Sequence, residues 1–377
     1  MSTIQDFKNV FGKDCATILK RLYKGICVFS GMMKGADFAS PKMPVRLQIE
    51  VTDRCNHDCI MCNRLDSKRA LNNNISNEAF NKILDTMKPF YVTVNGLGEP
   101  LLNPEIEDIL VSCRRKSITT SMPSNLSVPK VLNTKIVKHP PNIITFSIHG
   151  ASKSVFELIS RNSNFEKCMS ALRQFLSDMD PKKVKVRILC ALQAKNLGEY
   201  KKMFALLVDL GLLDSFCLIP VYDYCCNSDE DTRIIPTVSE KNSAIASIQK
   251  EITSCKDEKE SAFYKNWMDA IKLIAANTPG NFPKMKLPCL IPWFSTYIIA
   301  NGAVLPCCYL GEDHYTMGNI SESSFSEIWN GEKYKKFRKS LRENRDKLDG
   351  CNYCSRSDLF RLQKYGFLFR GKTLWKI

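Results

Sequence analysis

The sequence has no apolar stretch able to cross a bilayer. Its longest runs, such as Met203–Val208 and Ile26–Phe29, are far short of the roughly twenty residues a spanning helix needs. The segment Met1 to Lys13 mixes charged and apolar residues and has no signal-peptide core. These two absences give the expectation of a cytoplasmic protein away from membranes. There is no internal repeat and no low-complexity segment, which excludes solenoids and tails. There is also no dense basic block interleaved with aromatics, so no nucleic acid is expected as a partner. The formal charge of +15 is spread along the chain and is read as a solvated basic surface.

What is present is a chain of 377 residues, 44% hydrophobic and 25% charged, with 17 cysteines. That length exceeds one ordinary core and predicts two domains. In a reducing compartment, clustered cysteines point to metal rather than to disulfides. Residues 1–44 read as an N-terminal helical extension. From Val45 to residue 236, strand and helix patterns alternate. Strands are expected at Val45–Val51, Tyr91–Asn95, Ile118–Met122, Ile143–His149, Val184–Leu192 and Phe216–Pro220. Between them fall helices at Asn77–Met87, Pro104–Arg115, near Pro129–Val137, Phe165–Phe175 and Leu197–Leu210. Six such units make an α/β fold, a partial (βα)6 TIM-like barrel, with chemistry at the carboxyl ends of the strands. Residues 237–286 read as a helical bridge. Residues 287–377 form a smaller α+β domain, opened by a hairpin at Asn301-Gly302 and followed by a basic amphipathic helix around Phe325–Arg342.

Two cysteine constellations carry the chemistry. Cys55, Cys59 and Cys62 stand in CNHDCIMC just after the first strand. One loop with this spacing can ligate three irons of a cubane and leave the fourth open. A zinc held by the three cysteines and His57 is the rival. Cys289, Cys307, Cys351 and Cys354 form the second set. The hairpin returns Cys307 towards Cys289, and the following helix brings back the CNYC pair. Four thiolates suit a fully ligated [4Fe–4S] cluster or a structural zinc equally.

CxxxCxxC after the first strand of a (βα) repeat resembles the radical S-adenosylmethionine (SAM) superfamily. The resemblance implies a [4Fe–4S] cluster on Cys55, Cys59 and Cys62 whose open iron binds SAM. Reduction then cleaves SAM to a 5′-deoxyadenosyl radical that takes a hydrogen from substrate. Met61 stands where the family often has an aromatic residue. Gly98 and Glu99, in NGLGEP, resemble the element that receives the SAM ammonium group. Ser147 matches a ribose-binding serine, and Arg161 an arginine that meets the SAM carboxylate. Ser124-Asn125 and Asn196 match family elements more weakly, and His149 stands where Asp is common, a candidate acid/base or a plain loop histidine.

The second set lies in a segment similar to SPASM/twitch domains: PW, NGAVLPCC, EIWNG and CNYC. It looks closest to the shorter form with one auxiliary [4Fe–4S] cluster on Cys289, Cys307, Cys351 and Cys354, with Cys308 a neighbour outside the ligand set. Such a cluster implies electron transfer from a substrate radical. The expected function is a dehydrogenase-like radical SAM oxidoreductase acting on a small polar metabolite such as a sugar or aminocyclitol. The alternative is a peptide-modifying maturase forming thioethers, epimers or cross-links. An epimerase would need a thiol donor, and Cys217, Cys225 and Cys226 are candidates. The resemblance implies flavodoxin or ferredoxin as electron donor.

Overall fold

A computed structural model describes residues 43–64, 72–221, 233–275, 289, 291–351 and 354. The expected N-terminal extension, Cys225, Cys226, the end of the helical bridge and the end of the C-terminal segment lie outside the described residues.

Six parallel strands build the first part: β1 (Arg46–Ile49), β3 (Tyr91–Val94), β4 (Thr119–Ser124), β5 (Ile143–Ser147), β7 (Lys185–Leu192) and β8 (Phe216–Pro220). They lie side by side in chain order, β1-β3-β4-β5-β7-β8. An order without reversal puts successive right-handed crossovers on one face of the sheet. That is the partial barrel expected, not a doubly wound sheet.

The alternation of each strand sorts its side chains. One face sends Leu47, Ile49, Val92, Val94, Phe146, Ile188 and Leu192 into a core shared with the helices. Asn77–Met87 supplies Phe80, Ile83, Leu84 and Met87 from one stripe, and Ser76 caps it by accepting the Ala79 N–H at 3.2 Å. Phe165–Asp178 supplies Leu172 and Phe175, and Phe175 meets Phe146 edge-on at 5.4 Å. The opposite face is mixed: Arg46, Gln48, Glu50, Thr93, Ser121, Thr145 and Arg187 share the intervening slots with Tyr91, Pro123, Ile143 and Leu189.

The bridge forms two helices, Val238–Ser254 and Glu258–Ala275, packed on each other. The second leans on β8, where Trp267 stacks on Phe216 and its Nε1–H donates to the Leu197 carbonyl at 3.0 Å.

The C-terminal segment makes no separate sheet among the described residues. Its strand β9 (Ser295–Ile298) pairs parallel with β1, Arg46 opposite Ser295 and Ile49 opposite Ile298. β10 (Ala303–Leu305) and β11 (Gly318–Asn319) follow antiparallel, so nine strands run β11-β10-β9-β1-β3-β4-β5-β7-β8. The expected hairpin is present with a three-residue loop, Ala300–Gly302. Only Gly302 takes a positive φ, +88°, where a side chain would be strained. The helix expected over Phe325–Arg342 is two helices, Phe325–Asn330 and Glu332–Glu343, broken at Gly331.

Candidate active site

β1 ends at Ile49, and the cysteine loop begins six residues later at the carboxyl edge of the sheet. Three anchors fix that loop. Asp53, buried, accepts the N–H groups of Asn72 and Asn73, each at 2.8 Å, and the Asn73 side-chain amide at 2.7 Å. Ile60 donates its N–H to the Ile159 carbonyl at 3.0 Å and packs with Ile159, Val221 and Ile234, Met61 lying against them. A two-stranded ribbon, β2 (Asp58–Cys59) with β6 (Ser160–Arg161), sets Asp58 opposite Arg161 and Cys59 opposite Ser160.

Cys55, Cys59 and Cys62 are half-buried and within electrostatic reach of one another. Burial, then the neighbouring Cys62, pushes the Cys59 thiol up to about 12, and burial also raises Cys55. Three such groups persist together as thiolates only beside strong positive charge, which bound iron supplies. Among the described residues, no three His, Cys, Asp or Glu side chains converge as ligands of a single ion. A cubane takes each thiolate on a different iron and needs them spread rather than converged on one point. Three thiols in one loop can occupy three corners of a cubane. His57 is buried, and burial lowers its pKa.

The loop after β3 closes on the cysteine loop. The Glu99 N–H donates to the Arg54 carbonyl at 2.8 Å. A Cβ on Gly98 would strike the Thr52 carbonyl and lie 2.7 Å from that of Arg54, so only glycine allows this approach. Glu99 is buried and its carboxylate takes the Leu101 N–H at 3.1 Å and the Asn125 N–H at 2.6 Å; burial raises its pKa to about 7. These bonds tie it to its own loop and to the loop after β4, a role absent from the sequence reading. A carboxylate has about four acceptor positions, so capacity for an ammonium group remains.

Ser147 ends β5, half-buried, and its hydroxyl has no partner among the described residues. Arg161 is exposed on β6, its guanidinium likewise without a described partner. Ser124-Asn125 holds Glu99 through the Asn125 N–H and the Ser124 hydroxyl, and the Asn125 amide reaches Cys55 Sγ at 3.7 Å. Asn196 is structural: its buried amide donates to the carbonyls of His149 at 2.7 Å and Ala191 at 2.8 Å. His149 is buried as well. Its Nδ1 accepts the Ala191 N–H at 3.1 Å, and burial lowers its pKa to about 4. The ring is thus neutral and held in place through one nitrogen.

Sequence reasoning missed Glu50, fully buried at the end of β1. It accepts the N–H of Leu97 at 2.6 Å and that of Ala300 at 3.2 Å, and the Tyr297 hydroxyl at 3.3 Å. One carboxylate thereby joins the cysteine-bearing strand, the Gly98-Glu99 loop and the C-terminal hairpin. The signal was a glutamate inside an alternating strand.

The second constellation also assembles. Cys289 lies in electrostatic reach of Cys307, Cys351 and Cys354, and Cys351 of Cys354. Burial raises Cys289 to about 11 and Cys351 to about 12. A hydrogen bond with Cys308, then burial, raises Cys307. Cys308 packs beside Tyr297, Ile299, Ala303 and Leu305. Cys217 is half-buried on β8, its thiol raised to about 12 by burial.

Comparison with known proteins agrees with this geometry. The radical SAM superfamily model matches residues 49–192, and an iron–sulfur cluster-binding domain of the SPASM type matches residues 289–355. An S-adenosyl-L-methionine-dependent 2-deoxy-scyllo-inosamine dehydrogenase from Niallia circulans is 31% identical over 118 residues, 29% of this chain and 46% of that protein. A probable GTP 3′,8-cyclase from Thermococcus kodakarensis is 22% identical over 169 residues, 44% of this chain and 54% of that protein. The chain thus spans about half the length of these curated relatives. Among solved structures, Streptococcus suis SuiB bound to its precursor peptide SuiA shares the fold with a TM-score of 0.56 at 18% identity, covering 83% of this chain and 70% of SuiB. The first domain implies a [4Fe–4S] cluster and SAM, and the second implies further iron–sulfur. The chain belongs to the radical SAM superfamily and carries a C-terminal SPASM domain.

Proposed function

We propose that this chain is a radical SAM oxidoreductase of the dehydrogenase type, acting on a small polar metabolite such as a sugar or aminocyclitol. The observation that carries it is three half-buried thiols in one loop at the carboxyl edge of the sheet, with Gly98-Glu99 and Arg161 on its flanks. SAM held at such a cluster would supply, on one-electron reduction, a 5′-deoxyadenosyl radical able to take a hydrogen from an unactivated carbon. The chain's residues do the rest. Cys55, Cys59 and Cys62 hold the cluster. Glu99 receives the SAM ammonium group, Arg161 its carboxylate and Ser147 the ribose.

Two further observations support the substrate class. The second face of the sheet carries polar side chains, Gln48, Thr93, Ser121, Thr145 and Arg187, among apolar ones such as Tyr91 and Ile143. The Niallia relative is by name a dehydrogenase of an aminocyclitol. We read the second cysteine set as the seat of an electron acceptor in the C-terminal domain, whose hairpin is tied to the first domain through Glu50. Flavodoxin or ferredoxin is the reductant we propose.

The test is anaerobic reconstitution followed by reduction with SAM present. Wild type should hold about eight irons per chain, from two cubanes, and release 5′-deoxyadenosine. Cys59→Ala should release none. A wild-type protein that binds zinc instead, or leaves SAM intact under dithionite, defeats the reading. Incubation with cyclitols, sugars and peptides then separates the dehydrogenase from a peptide maturase by which of them is consumed.

A further inference from the structure

Two arginines of the C-terminal domain lie around the second cysteine set. The half-buried Arg345 donates from Nη2 to the Cys354 carbonyl at 2.9 Å and lies in electrostatic reach of Cys289 and Cys351. Arg338 connects to the same set only through intermediate groups, the Pro292 carbonyl and the Tyr334 ring. It is 5% exposed, with no carboxylate partner among the described residues. Its guanidinium stacks on Trp329 at 4.2 Å and Tyr334 at 4.5 Å. Its Nε donates to the Pro292 carbonyl at 2.9 Å and its Nη1 to the Trp329 carbonyl at 3.1 Å, while Nη2 is buried with no acceptor. Pro292 is three residues from Cys289. Tyr334 donates to the Leu305 carbonyl at 3.3 Å, two residues from Cys307, and feels the charge of both Cys307 and Arg338.

A buried cation without an anion is costly, and proteins seldom keep one unpaired. The four cysteines would bring an anion to the same domain, linked to Arg338 through Pro292 and Tyr334. A [4Fe–4S] core on four thiolates carries a net charge of about −2 when oxidised and about −3 after taking one electron. Fixed positive charge nearby stabilises the second state more than the first. Asp349, in reach of Cys351, is the acidic group that opposes them.

We propose that Arg345 and Arg338 are the internal counter-cations of the C-terminal cluster and raise its reduction potential, equipping it to accept an electron. The proposal rests on Cys289, Cys307, Cys351 and Cys354 holding that cluster. The redox step is the uptake of one electron, with no other bond made or broken.

The experiment is an anaerobic titration with dithionite and mediators, followed by electron paramagnetic resonance. It uses the reconstituted full chain, with the Cys55, Cys59 and Cys62 triple Ala variant to assign the auxiliary signal. Arg345→Gln and Arg338→Gln should each shift that midpoint to lower potential and leave the first cluster's midpoint in place. Arg345→Lys and Arg338→Lys should titrate close to wild type. A purely structural role would change iron content or melting temperature but not the midpoint of the clusters that remain. Gln variants that keep their iron and titrate with wild type, or shift upward, overturn the proposal. If Arg338→Gln does not fold, Arg345→Gln decides alone. A wild-type chain with no auxiliary iron removes the four-cysteine reading itself, a distinct result seen before any variant is made.

Discussion

At the scale of single residues, buried polar groups decide most of the site, and two of them make direct predictions. Glu50 satisfies two backbone N–H groups and a tyrosine hydroxyl from two distant parts of the chain. Glu50→Ala strands those donors in the interior, at about 1–3 kcal/mol for each group that water cannot reach. Denaturant unfolding should show a loss of several kcal/mol, and Glu50→Gln, which keeps an acceptor oxygen, a smaller one. His149 predicts a pH dependence. Its pKa falls from 6.5 to about 4 in the folded chain because burial disfavours the imidazolium. Above 6.5 the ring is neutral in both states and this contribution to stability is complete. As pH falls from 6.5 through 4 the unfolded chain gains a proton that the folded chain does not, and the contribution is lost. The shift corresponds to on the order of 3 kcal/mol. His149→Gln should flatten the decline of melting temperature across that window; an unchanged slope would assign it to other groups.

At the scale of elements, the loops matter more than the strands they follow. Gly98→Ala forces the β3 loop off the carbonyls of Thr52 and Arg54. Iron per chain should fall from about eight to about four, with the auxiliary signal retained. Cys351→Ala should do the converse, sparing uncoupled 5′-deoxyadenosine release while impairing product formation. The regular elements were legible in the sequence because their signals are local. Phe80, Ile83, Leu84 and Met87 marked one helix face, and the structure places that helix at Asn77–Met87; the strand Phe216–Pro220 also has the bounds read from its residues. The three-cysteine spacing was legible for the same reason. The β2–β6 ribbon was not, since its two-residue strands are paired by the loop anchors and not by propensity. The break at Gly331 was hidden by amphipathic spacing that continues through it. Glu99 as a loop anchor depended on Asn125, which approaches only once β3 and β4 lie side by side.

At the scale of the whole molecule, the pairing of β9 with β1 was invisible in the sequence because nothing local records which sheet edge a distant strand will choose. It sets the C-terminal domain beside the strand that leads into the first cysteine loop, and Glu50 fastens the joint. No helix among the described residues is long and apolar enough to cross a membrane.

That pairing also bears on how the chain is made. Arg46 and Ser295 are partners separated by most of the polypeptide, so β1 stays an open edge until the ribosome has delivered the hairpin. Contacts this distant close slowly, and an unpaired edge in the interval recruits other chains. A chain ending at Ala275 should therefore collect in the insoluble fraction on expression. Adding residues 289–319 as a separate peptide during refolding should recover part of it. A truncated chain that stays dispersed without the peptide would show that the edge is protected by other means.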